Sequence, residues 1–480
     1  MKKETGILMP VLSLPGKYGC GDFGYEAFDF ISKIASAGFT TWQILPLQPL
    51  GYGDSPYQPY SSKAMDELYV SLDVLYAQGL IEELEPFNGD ADRIDYNAVR
   101  EYHEKYLKEA FYKYEGSAEF WRFASQDWVT NYAIFMALKK KNDMKSWQEW
   151  KDEEKFFHEK HSLDLSKYDE DILYEKFIQY KLFKQWEYLR KYANNRGIKI
   201  MGDMPFYVGL DSADVWAHKN DFLLDGDGKP TFVAGVPADI FSETGQRWGN
   251  PIYNWENMEK DNYRFLCHRL NYISTLYNVT RIDHFRAFYN YWQIPSSCPG
   301  ALEGEWIKGH GYKFFEELFK QYPNINIVAE DLGDNMEEVD ELRDHFNLKG
   351  MIVAQQMFDK HNYGDTQVNQ ICYTGTHDNR PIKSWFETLD NRHQEEVIDK
   401  LKELNITDKD ITDAMIKFVL SRSSETVIIP IADVLGLGDK GRINEPGVLS
   451  PKNWSWKLVD FDDFDEKLPR IKKWIKEYNR

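Results

Sequence analysis

The chain has 480 residues, 58 Lys and Arg against 78 Asp and Glu, and a formal net charge of −20. Its 42% hydrophobic and 15% aromatic content supplies large cores and excludes wholesale disorder. The acidic balance argues against nucleic-acid or anionic-membrane partners, and no apolar run approaches the roughly 20 residues that span a bilayer.

The first apolar stretch, Ile7–Leu14, contains Pro10 and runs into Pro15-Gly16 without a small-residue cleavage site. It reads as a strand over Ile7–Ser13, not as a signal peptide. A helix over about Tyr25–Ala37 follows, with Gly38 at the left-handed position after its end. Between them, Gly19-Cys20-Gly21-Asp22-Phe23-Gly24 fits the dinucleotide-binding pattern G-x-G-x-x-G. Two features count against that reading. Pro15 to Tyr18 separate the strand from the first glycine, and Gln43 and Gln48 stand where an acid should hold the ribose. The plainer reading is a Gly-rich turn with Asp22 capping the helix.

Thr41–Gln48 is the second strand. Just beyond it, Asp54-Ser55-Pro56-Tyr57-Gln58 is either an ordinary turn or a way to hold Tyr57 over a sugar face. Ala64–Asn195 is charged and helical, with Ile178, Leu182, Trp186 and Leu189 at helical spacing. Its Lys/Glu run, Lys139–Lys160, reads as a solvated helix face. The third strand, Ile198–Met201, leads into Gly202-Asp203-Met204-Pro205. Gly209–Asn278 is rich in Gly and Pro. Within it, Asp225-Gly226-Asp227-Gly228 lacks the later ligands of a calcium loop and reads as a hairpin turn. Gly235–Tyr253 reads as a loop carrying Phe241, Gln246, Trp248 and Asn250, a candidate lid over a site.

Five more strand candidates follow: Val279–Phe285, Ile325–Glu330, Gly350–Gln355, Ile371–Thr376 and Val427–Ile431. Helical patterns lie between them at Gly311–Gln321, Met336–Phe346, from Ile382 onward, and at Gln394–Leu404. Eight strands alternating with helices predict an α/β fold, a (β/α)8 TIM barrel with long insertions after strands 2 and 3, the first mostly helical. Setting aside Ala64–Asn195 and Gly209–Asn278 leaves about 280 residues, close to the roughly 250 of such a barrel. The expected partition is barrel over 1–63, helical insertion over 64–195, strand 3 over 196–208, loop-rich insertion with a lid over 209–278, and strands 4–8 over 279–480. The four cysteines, Cys20, Cys267, Cys298 and Cys372, are widely spaced, which suits a reduced cytoplasm better than a disulfide framework. His158-Glu159-Lys160-His161 does not match a zinc-protease motif, and neither a metal nor a cofactor is expected.

Three acids sit at or near strand ends: Asp283, Glu330 and Asp378. The C-terminal strand ends of a barrel converge on one face, so acids there read as catalytic; the alternative is structural ion pairing at the rim. Arg281 and Asp283 are two apart, point the same way, and predict a carboxyl lowered by the guanidinium. An ionised carboxylate beside a protonated one is the pair that retaining glycoside chemistry uses.

These residues, with Leu12–Pro15, Gln43–Pro46, Tyr52–Gln58, Gly202–Val208, Gly235–Tyr253, Arg281–Phe285, Ala329–Gly333, Gly375–Asn379, Leu435–Gly438 and Asn453-Trp454, resemble the 4-α-glucanotransferases, glycoside hydrolase family 77 of the α-amylase superfamily. The resemblance implies transfer of α-1,4-glucan segments between maltooligosaccharides, with a glucan hydrolase on the same barrel as the alternative. It implies Asp283 as nucleophile, Glu330 as acid/base and Asp378 as the residue that binds sugar hydroxyls and stabilises the transition state. Arg281 and His377 would position nucleophile and sugar. Tyr57, Asp203, Trp248 and Asp359 match sugar-binding positions. Ala287, Arg380-Pro381, Pro59–Asp66 and Arg442–Ser450 depart from the family pattern, and none of them removes one of the three acids.

Overall fold

A computed structural model describes residues 3–238, 243–333, 336–361 and 365–480. Its strands, in chain order, are β1 (Glu4–Leu8), β2 (Thr41–Gln43), β3 (Lys199–Met204), β4 (Phe232–Val236), β5 (Gln246–Pro251), β6 (Val279–Ile282), β7 (Asn290–Pro295), β8 (Glu305–Lys308), β9 (Ile327–Ala329), β10 (Gly350–Val353), β11 (Gln370–Tyr373) and β12 (Thr426–Pro430). Eight of them form one parallel sheet in the order β10-β11-β12-β1-β2-β3-β6-β9. A parallel bridge between Val328 and Lys349 joins its two ends, with the Ala329 amide donating to the Lys349 carbonyl at 2.7 Å. The eight strand positions expected from the sequence are these eight. The first is shorter than expected, because Pro10 cannot donate to a ladder and Val11–Ser13 turns as a 3-10 helix instead.

Strands β5-β4-β7-β8 form a second, antiparallel sheet. It overturns the reading of Gly235–Tyr253 as a loop. Gly235 and Val236 end β4 and Gln246–Pro251 is β5, paired antiparallel with Gly235 opposite Arg247 and Val236 opposite Gln246. Phe241 lies outside the described residues. The hairpin turn expected at Asp225–Gly228 is present, and the Asp225 carboxylate accepts the amides of Asp227 and Lys229.

Between β2 and β3 the chain is helical, and its longest helix is Asp169–Asn195. Phe177, Ile178, Leu182, Trp186 and Leu189 form its buried stripe. The Lys139–Lys160 run is not one solvated face. Lys139 is fully buried, with its ammonium bonded to Asp211 at 2.5 Å and to the carbonyls of Met144 and Lys145. Trp147 and Trp150 of the same run are also buried. The Asp127–Lys141 helix is thereby tied to the loop that follows β3.

The Gly19–Gly24 segment carries no room for a dinucleotide. A Cβ on Gly19 would meet Val99 at 2.4 Å, and one on Gly24 would meet Ser71 at 2.3 Å. The glycines let the inserted chain pack against this turn. Asp22 does not cap the helix; Gly24 is the cap residue, and Asp22 accepts its amide at 2.6 Å. Gly38 does end that helix in the left-handed conformation, at φ 94°. Among the described residues no helix is long and apolar enough to cross a membrane.

Candidate active site

The register of the barrel builds the site. In the parallel β3–β6 pair Asp203 is the direct neighbour of Arg281, so both side chains point into the barrel side by side. Asp203 is 0% and Arg281 3% exposed. Nη1 of Arg281 donates to both Asp203 oxygens, at 2.8 and 2.6 Å, and Nη2 donates to Asp283 at 3.0 Å. Isolated charges at such depth would be prohibitive, so each needs the other.

Asp283 follows β6 directly. Its amide donates to Met204, which holds it level with the end of β3. Glu330 follows β9 in the same way. Its amide donates to Ile282, its carbonyl accepts from Phe285, and its carboxyl accepts the amides of His284 at 2.8 Å and Leu332 at 3.1 Å. His284 reaches that position through a left-handed backbone, φ 52°. Asp378 comes from the turn after β11. Asn379 accepts from the Thr376 amide and hydroxyl, and the Asp378 amide donates to Thr376 Oγ1. Asn444 then donates to the Asp378 carboxyl at 2.7 Å.

Tyr57 closes the ring of contacts. Its hydroxyl donates to Asp203 at 2.8 Å and lies 2.9 Å from His377 Nε2. Since that proton goes to Asp203, the Tyr57 oxygen accepts from His377, which assigns the neutral Nε2–H tautomer. Burial holds the imidazole below its ordinary pKa. The same nitrogen is 3.4 Å from Asp378. The Tyr57 and His377 rings stack at 5.4 Å, and Trp454 leans on both, at 5.7 and 5.9 Å. Trp248, on β5, packs edge-on against His284 at 4.9 Å and donates to Gln246.

The electrostatics differ from the sequence expectation at one point. Burial pushes the Asp283 carboxyl well above the usual carboxylate range, and the acidic groups of Asp203, Glu330 and Asp378 push the same way. Arg281 opposes them without prevailing, because one of its two nitrogens is committed to Asp203. Asp283 nonetheless keeps 27% of its side chain accessible. Burial also raises Glu330, against Arg281 and its two amide donors.

Eight of the nine expected site residues thus fall at one end of the barrel: Arg281, Asp203, Asp283, Glu330, Asp378, His377 and Tyr57 in a contiguous polar set, and Trp248 facing it. Asp359 is apart from them, at the end of a short helix after β10, bonded to the Trp385 indole at 3.2 Å. The His284 amide, Asn444 and Trp454 were not named as site residues from the sequence. Asn444 and Trp454 lie more than 60 residues beyond Asp378, and only the fold brings them back.

The model of a protein family described as 4-alpha-glucanotransferase matches residues 9–461. The 4-alpha-glucanotransferase of Thermus thermophilus is 40% identical over 96% of this chain and 95% of its own length. That of Aquifex aeolicus is 38% identical over 99% of both. The amylomaltase of Streptococcus agalactiae, solved in complex with acarbose, superposes with a TM-score of 0.94 at 33% identity, covering both chains fully. With its barrel, its acid-lined end and these relatives in agreement, the chain belongs to the 4-α-glucanotransferases, glycoside hydrolase family 77.

Proposed function

We propose that the chain moves α-1,4-linked glucan segments between maltooligosaccharides in two displacement steps through a covalent glycosyl-enzyme. In the first, an Asp283 oxygen attacks the anomeric carbon. The bond to the leaving 4-oxygen breaks, and that oxygen takes the proton of Glu330. In the second, Glu330 takes the proton of an acceptor 4-hydroxyl, whose oxygen attacks the same carbon and displaces Asp283. Two inversions give net retention.

The observation that carries this reading is the different company of the two acids. Burial raises both, as a proton donor at neutral pH requires of Glu330, but only Asp283 is bonded to a guanidinium, which favours its ionised form at the moment of attack, while the bonds described at the Glu330 carboxyl come from backbone amides. Asp378, fixed by Asn444 and next to the neutral His377, is placed to accept sugar hydroxyls and to face developing positive charge. Tyr57 and Asp203 hold that set together, and Trp248 offers an apolar face to a sugar ring. Asp359, outside the set, serves an outer sugar unit. No cofactor enters the scheme.

Transfer exceeds hydrolysis only where the glycosyl-enzyme is shielded from water. The β4–β5 hairpin and the helical stretch between β2 and β3 are the shielding elements in this reading. Incubation with maltotriose tests the function. Transfer yields glucose and a ladder of longer maltooligosaccharides, whereas products no longer than the substrate would mean hydrolysis. Trp248→Ala is expected to lower the transfer-to-hydrolysis ratio; an unchanged ratio would remove the hairpin from the shield.

A further inference from the structure

Three side chains outside the acid-lined end converge without a part in the glucan chemistry. His393 and Glu396 lie three residues apart on the Asn391–Glu403 helix and share a face. His361 comes from the turn after the Ala354–Asp359 helix, where a left-handed backbone, φ 49°, turns it toward that face. Its ring lies beside that of His393, with centroids 5.4 Å apart and planes 29° from parallel. His361 Nδ1 is 4.0 Å from Glu396 Oε2, and one donor atom from each of the three residues lies within 4.8 Å of the other two. Arg392 occupies the other carboxyl oxygen of Glu396 at 3.0 Å, which leaves Oε2 turned to the histidines. His393 Nε2 is shielded from solvent and, among the described residues, makes no hydrogen bond.

We propose that His361, His393 and Glu396 form a binding site for a borderline divalent cation of the zinc type, fastening the turn after β10 to the Asn391–Glu403 helix. Two imidazoles and one carboxylate with room for water are a zinc-type donor set, whereas calcium and magnesium call for oxygen donors. Tetrahedral coordination at about 2.0–2.1 Å sets donors roughly 3.3 Å apart, so the three groups need to close by up to about 1.5 Å. His361 and Glu396, both more than a third exposed, are placed to make that movement. The sequence hid the site because His361 is 32 residues before His393 and no metal motif spans that distance.

The test uses the full chain, stripped with a chelator and titrated with Zn²⁺ alone, followed by calorimetry. One equivalent is expected to bind and to raise the melting temperature. Co²⁺ in place of zinc is expected to show the intense ligand-field bands of a site with fewer than six donors. His393→Ala and Glu396→Ala should each weaken zinc binding at least tenfold, with far-UV circular dichroism and metal-free maltotriose turnover unchanged. Zinc affinity equal in the wild type and in the double variant, or Mg²⁺ bound as tightly as Zn²⁺, would overturn the proposal.

Discussion

Arg281 answers to two acids at once, and the consequences differ for each. Asp203 is wholly buried with it, so Asp203→Ala strips the buried guanidinium of two of its hydrogen bonds and leaves it only the partly accessible Asp283 as a carboxylate partner. The expected loss is about 3–5 kcal/mol, read by urea unfolding. Asp283→Asn should behave in the opposite way. The folded state holds the Asp283 proton more tightly than the unfolded chain does, so its ionised form costs stability at neutral pH. A neutral amide removes that cost. Turnover should vanish while the melting temperature at pH 7 rises, and the gain should disappear as pH falls below the ordinary carboxylate range. For the same reason the acidic limb of kcat/KM, which reports ionisation of the attacking carboxyl, is expected above the usual aspartate value. A limb at or below pH 4 would contradict it. Asn444 donates to Asp378 as a neutral group to an acid. Asn444→Ala is expected to lower kcat/KM about ten- to a hundredfold, the equivalent of roughly 1.5–3 kcal/mol, with the fold intact by circular dichroism.

At the scale of elements, the barrel strands were legible because parallel strands buried on both faces read as continuous apolar runs. The antiparallel sheet was not. Its edge strand β5 has the sequence Gln246–Pro251, QRWGNP, where Gly and Pro mark a loop by composition yet are tolerated at an edge. Lys139 misled in the same way: charge predicts solvent, and only Asp211, 72 residues on, reveals the buried partner. Lys139→Ala should therefore destabilise the fold by about 3 kcal/mol or more in urea unfolding, where a solvated lysine would cost almost nothing. The three acids were legible as strand-end carboxylates. The upward shift of Asp283 was not, since it depends first on how deeply the fold buries the carboxyl and then on Asp203, which a strand pairing that spacing alone does not reveal brings to the same guanidinium. Asn444 and Trp454 were hidden by chain distance.

For the whole molecule, the net charge of −20 bears on partners more than on chemistry. A neutral glucan feels no steering from that field, so kcat/KM for maltotriose should change little between low and high ionic strength; a steep salt dependence would point to a charged substrate. The pairing of β1 with β12 has a separate meaning in time. Gly6 lies beside Ile428, about 420 residues later in the chain. At a synthesis rate of about 5–20 residues per second, β1 waits roughly 20–80 s on the ribosome for its second neighbour. Throughout that interval one side of an apolar strand lacks its partner, and the barrel has no closed form to adopt. The cell must keep this strand from pairing elsewhere until translation is nearly over, which makes chaperone demand a property of the sheet order itself.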